Sequence, residues 1–207
     1  MSVNSNTVDA AADPWRTHYG HPGSWELELP PLSLPDMLAE AATSHAGKPL
    51  VDFMGRTYSY AALHAEAQAF AAGLQRLGVK KGDRVGLFLP NVPIYVSAYY
   101  GASMAGATLV NFSPLYTAQE LAAQVEDSGA RLLVTIDSAA LLPTALEVQR
   151  TSSLETLVVG SLGAMLPLTK RILLSLFGRK AVVPIPAGSA VLRWADVLGP
   201  GAPGPVA

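Results

Sequence analysis

Cysteine is absent from the 207 residues, so neither a disulfide framework nor a thiolate metal site can be built. That fits a reducing compartment and sets a cytoplasmic expectation. Charged residues are scarce, at 14% against an ordinary share of about a quarter, which argues against disorder along the whole chain. A formal net charge of −2 leaves no basic footprint for nucleic acid. No apolar run reaches the ~18 residues of a spanning helix. The N-terminus has neither a basic start nor an apolar stretch behind it, which argues against a secretory signal. The dinucleotide fingerprint G-x-G-x-x-G and the P-loop spacing are both missing.

Hydrophobic residues, by contrast, make up 50% of the chain, enough for a sizeable core. Residues 1–31 read as an irregular arm, because Pro14, Pro22, Pro30 and Pro31 interrupt any helix. Leu34 to Ser44 predicts a short helix. KPLVDF (48–53) and Thr57 to Ser59 predict a hairpin around Met54-Gly55-Arg56. Leu63, Ala67, Phe70, Leu74 and Leu77 recur at helical spacing and predict one buried face. Ser59 is its expected N-cap and Gly78 its left-handed stop. RVGLFLP (84–90) has no polar alternation, as in a strand covered on both faces.

Asn91 is the expected cap of a helix reaching about Ala105, whose small residues suit close packing against a sheet. ATLVNF is a second strand. Pro114 then ends it, since proline donates nothing to a ladder and biases Ser113 away from helix. Thr117 and Glu120 have capping-box spacing, and Gly129 stops the helix they start. RLLVTI is a third strand, Ser138 to Arg150 a helix despite Pro143, and LETLVV a fourth strand. Strands alternating with helices over short connections predict an α/β fold: a largely parallel sheet flanked by helices, with an N-terminal β-hairpin.

Candidate chemistry is thin. Gly160 to Gly163 could offer backbone N–H groups to an anion, but a plain turn explains it more simply. Gly101 to Ala105 approaches a nucleophile elbow, yet Ser103 falls inside a helix. His18 and His21 lack a third ligand. Asp52, Asp83, Asp127 and Asp137 fall at turns or strand ends, where capping and solvation explain them. No catalytic, cofactor-binding or metal residue is therefore assigned.

The segment 165–184 is more informative. Leu168, Ile172, Leu173, Leu176 and Phe177 can share a helical face, and Lys170, Arg171, Arg179 and Lys180 supply cations. The pattern suits contact with a membrane surface, peripherally at its inner side. The alternative is a helix docked on its own domain with the cations in water, and such helices occur as ordinary covers for a core.

TYSYAAL, LGVKKGDRVGLFLPN and AGATLVNFSPLYTAQELAAQVEDSGARLLV, in this order, resemble the N-terminal portion of adenylate-forming acyl-CoA synthetases, nearest to long-chain fatty acid–CoA ligases. The likeness covers about 30–160 well, and weakly extends to TKRILLSLFGRK and RWADVL. Ser113 stands where long-chain members usually have Asn, and Ala62 where many have Glu. The resemblance implies the first subdomain of the adenylate-forming fold. It also implies a two-step reaction. A fatty acid carboxylate attacks the α-phosphate of ATP, releasing pyrophosphate, and the thiol of coenzyme A then displaces AMP. The family uses ATP, Mg and coenzyme A, a Ser/Thr/Gly-rich phosphate loop, a magnesium glutamate, a ribose aspartate and a lysine on a C-terminal domain. None of those motifs occurs here.

The expectation is thus an arm at 1–31, an incomplete AMP-binding subdomain at 32–198 and a Gly/Pro-rich tail or truncation point at 199–207. Alone it would bind no cofactor and catalyse no ligation, and its partner would be the remaining C-terminal part. The alternatives are a stand-alone non-catalytic binding module and a peripheral membrane protein derived from the same fold.

Overall fold

The computed structural model describes residues 15, 18, 31–178 and 180–199. The chain divides into two compact units, Met1–Leu32 and Ser33–Ala207. In the first, Trp15 and His18 have helical backbone, and His21 lies outside the described residues. The second carries the fold.

It begins with helix α1 (Leu34–Ser44), where Ser33 accepts the Asp36 N–H. Strands β1 (Pro49–Phe53) and β2 (Arg56–Ser59) then form a separate antiparallel hairpin. Its tip has positive φ at Met54 (54°) and Gly55 (89°), the geometry a two-residue hairpin turn requires. Asp52 accepts the Gly55 N–H at 3.2 Å.

Helix α2 (Tyr60–Arg76) starts at Ser59, whose hydroxyl accepts the Ala62 N–H at 3.2 Å. Leu63, Ala67, Phe70 and Leu74 are fully buried. Leu77 departs from the expected face: it is the C-cap residue, past the last turn, and is 45% exposed.

A five-stranded parallel sheet follows: β3 (Arg84–Phe88), β4 (Thr108–Phe112), β5 (Leu132–Ile136), β6 (Thr156–Gly160) and β7 (Val191–Arg193). Their spatial order is β4-β3-β5-β6-β7. All four neighbouring pairs are parallel. β3 and β5 are apolar and central, as expected of strands covered on both faces, whereas β4 is an edge and only part-buried. β7 had no signal in the sequence, because three residues do not establish a period.

The connections are α3 (Pro93–Met104), α4 (Ala118–Ser128) and α5 (Leu142–Thr151), then α6 (Leu162–Met165) and α7 (Leu168–Phe177) between β6 and β7, with α8 (Trp194–Val197) last. β3→β4 and β4→β5 run in opposite directions along the sheet. Right-handed crossovers therefore put α3 and α4 on opposite faces. In keeping with this, α3 packs on α2, and α4 packs on α5.

Two expected helix starts move. Val92, not Asn91, is the N-cap of α3, because Pro93 occupies the first turn and fixes the extended residue before it. α5 begins at Leu142, not Ser138, because Pro143 suits a first turn and not an interior. The small residues of α3 serve mainly a helix contact: a Cβ on Gly101 would lie 2.6 Å from the Ala67 carbonyl of α2.

Candidate functional site

In doubly wound sheets ligands gather outside the carboxyl ends of the strands. Here that edge is built by the residues following β3 to β7. After β4 the corner is held by short polar contacts. Ser113 Oγ accepts the Leu115 N–H at 3.3 Å, and its carbonyl accepts the Tyr116 N–H at 3.1 Å. Tyr95 donates to Asn111 Oδ1 at 3.0 Å. Burial, with Tyr99 nearby, raises the Tyr95 pKa and keeps the phenol a donor. Thr117 and Glu120 close the expected capping box. These contacts turn the chain, and none presents a nucleophile with a base.

A cleft lies farther along, at the ends of β5, β6 and β7. It measures about 690 Å³, and its lining includes Asp137, Ser161, Ala164, Val183, Arg193 and Trp194. Asp137 Oδ1 accepts the Leu162 N–H at 2.7 Å. In the Gly160–Gly163 turn, therefore, one of the N–H groups considered for an external anion is already engaged by the chain's own carboxylate. The Arg193 side chain lines the cleft and makes no hydrogen bond or ion pair among the described residues. Asp52 and Asp83 likewise cap turns, the latter accepting the Lys80 N–H at 2.7 Å.

A polar bridge sets one cleft wall. Glu66 of α2 accepts the Ser97 hydroxyl of α3 at 2.6 Å and the Trp194 indole N–H at 3.1 Å. Trp194 also stacks on Phe70, with ring centroids 4.2 Å apart. Below the α6 turn, the hairpin holds two carbonyls: Arg56 donates to Ala164 at 2.6 Å and Tyr58 to Met165 at 2.7 Å. Burial raises the Tyr58 pKa, Arg56 offsets part of that rise and Glu66 adds to it.

The expected surface residues fall on α7 and just after it. Ile172, Leu173, Leu176 and Phe177 are 51–79% exposed, and no residue of α7 is buried. Lys170 donates to the Met54 carbonyl at 2.8 Å, Arg171 and Lys180 are exposed, and Arg179 lies outside the described residues. Among the described residues no helix is long and apolar enough to cross a membrane.

An ATP-dependent site needs a divalent ion and several cations around the phosphates. The cleft offers one carboxylate, with an oxygen committed to α6, and one guanidinium. No group of three metal-ligating side chains occurs among the described residues. The residues present do not fit a magnesium–nucleotide centre by themselves.

Residues 38–171 match the family of the AMP-binding enzyme. The long-chain-fatty-acid–CoA ligase of Bacillus subtilis is 34% identical over 169 residues, covering 82% of this chain and 30% of the relative. Its namesake in Salmonella typhimurium is 36% identical over 160 residues, covering 75% and 28%. Among solved structures, an anthranilate CoA ligase in complex with anthranoyl-AMP superposes with a TM-score of 0.66 at 21% identity, covering 86% of this chain and 30% of that one. The chain thus spans less than a third of the length of each.

Proposed function

Since the chain belongs to the AMP-binding enzyme family, we propose that it is the N-terminal part of a long-chain fatty acid–CoA ligase, and that its role there is to supply a scaffold and one wall of the active site. The whole protein would join a fatty acid to coenzyme A at the expense of ATP, which it would cleave to AMP and pyrophosphate. The observation that supports this best is the run of 169 residues shared at 34% identity with a ligase of that specificity.

Residues 32–198 form the subdomain in this reading, with 1–31 an arm and 199–207 a tail or junction. The cleft at the ends of β5 to β7 is the wall. Trp194 and Arg193 face it, and the Glu66 bridge fixes Trp194. No chemical step is assigned to these residues, because they lack the donors that magnesium and the phosphates require. The chain by itself is inactive in ligation for the same reason.

A chimera tests the reading. Residues 32–198 replace the matching segment of the Bacillus subtilis ligase, and AMP release is followed with palmitate, ATP, Mg and coenzyme A. The expected result is AMP formation that requires both the acid and coenzyme A. A folded, soluble chimera with no activity on any acyl chain length would refute it.

A further inference from the structure

We propose that the outward face of α7, together with the hairpin tip at Met54, is a contact surface for an anionic lipid bilayer. The sequence left two uses for this helix, and the structure weighs against docking on its own domain. Leu174 is the one apolar side chain of α7 that turns inward, and it is only half-buried. At about 100° per residue, Leu168, Ile172, Leu173, Leu176 and Phe177 cover roughly half the circumference, on the side away from Leu174. Phe177 is 79% exposed and Leu168 71%. Lys170 and Arg171 flank Leu174 on the protein side. A helix lying in a bilayer surface needs this order: apolar residues toward the acyl chains, cations level with the headgroups.

Charge selects the occupant. The chain as a whole carries −2, yet residues 156–195 contain no Asp or Glu, and four of the five basic residues there, Lys170, Arg171, Arg179 and Lys180, lie between positions 170 and 180. A protein interface centred on this helix would gather exposed lysine where interfaces are depleted of it, whereas an anionic leaflet complements the whole segment. The hairpin tip adds an anchor. Met54 has φ 54°, a conformation usually left to Gly, Asn or Asp, and its side chain is 53% exposed. The Lys170 bond to the Met54 carbonyl holds that tip beside the first turn of α7. Ten residues make a helix of only about 15 Å, so apolar insertion alone is weak and the charges must supply much of the binding. The inference is independent of the ligase reading, because it concerns binding without ATP or coenzyme A.

The test is co-sedimentation of the 207-residue chain with vesicles of phosphatidylcholine, alone or with phosphatidylglycerol, at low and high salt. Binding is expected only to the anionic vesicles and is lost at high salt. Arg171→Gln with Lys180→Gln should weaken it about fivefold per charge removed. Leu176→Ser with Phe177→Ser should abolish it while leaving the circular dichroism spectrum unchanged, since both positions are exposed. The chain has no cysteine, so Phe177→Cys takes a single environment-sensitive dye. Its emission should shift to the blue on anionic vesicles, both in the free chain and in a ligase chimera whose other cysteines are replaced by serine. Equal binding to neutral vesicles, or no binding, overturns the proposal. So does a dye already shielded in the lipid-free chimera, which would make the remaining polypeptide the occupant. A dimer that Phe177→Ser dissociates would make it a second copy.

Discussion

Replacing Glu66 by alanine is the sharpest perturbation of the cleft wall. The carboxylate serves two donors, the fully buried Ser97 hydroxyl and the Trp194 indole, itself 7% exposed. A buried donor left unpaired costs about 1–3 kcal/mol. Ser97 can turn its hydroxyl toward a carbonyl one turn back in α3, which places it at the low end. Glu66 is itself half-buried, so water entering the space left behind offsets part of the loss. The expected destabilisation is about 2–4 kcal/mol, a fall in Tm of roughly 5–12 °C for a domain of this size. Glu66→Gln keeps an acceptor and should lose about half as much. Urea denaturation followed by tryptophan fluorescence measures both, because Trp194 reports its own environment. A double-mutant cycle with Ser97→Ala should give a coupling of about 1 kcal/mol or more. A coupling near zero, with Glu66→Ala as stable as the parent, would show that the bridge does not hold α2, α3 and α8 together.

Other perturbations follow the same logic. Thr135 has a fully buried hydroxyl with no hydrogen-bond partner, so the isosteric Thr135→Val should stabilise the domain by about 1 kcal/mol, read as a higher urea midpoint. Gly101→Ala puts a methyl 2.6 Å from the Ala67 carbonyl and should cost about 1–3 kcal/mol by forcing α2 and α3 apart. Glu120 is held below the ordinary glutamate pKa by the Thr117 N–H and hydroxyl. As pH falls the unfolded chain therefore takes up this proton first. The cap's contribution is intact above the ordinary glutamate value and is lost as pH drops through the folded one. Urea midpoints between pH 7 and pH 3 should fall less steeply in Glu120→Gln.

Legibility in the sequence followed the strength of the local signal. α1 is found at Leu34–Ser44, as its pattern predicts, and α4 has the expected capping box and the expected stop at Gly129. Both have a cap whose chemistry is local. The parallel sheet was legible because β3, β5 and β6 are short apolar runs separated by helical patterns. β7 was not, and Val92 displaced Asn91 because the proline beside it outweighed a favourable capping side chain. The cleft was illegible for another reason. Asp137, Ser161 and Arg193 are far apart in sequence, and only the strand order β5-β6-β7 brings them to one edge. A signal did exist: Asp137 and Ser161 each directly follow the last residue of a parallel strand, where ligands gather. The Glu66 bridge gave no sign, since a glutamate in a helix reads as a solvated residue until α8 folds back onto it.

As proposed above, this chain is a platform whose reaction chemistry comes from elements outside it. The most direct measurement is single-turnover formation of acyl-AMP and pyrophosphate by the purified 207 residues, with labelled ATP, Mg and a long-chain fatty acid. No product above the protein-free blank is expected. Acyl adenylate formed by this chain alone would contradict it.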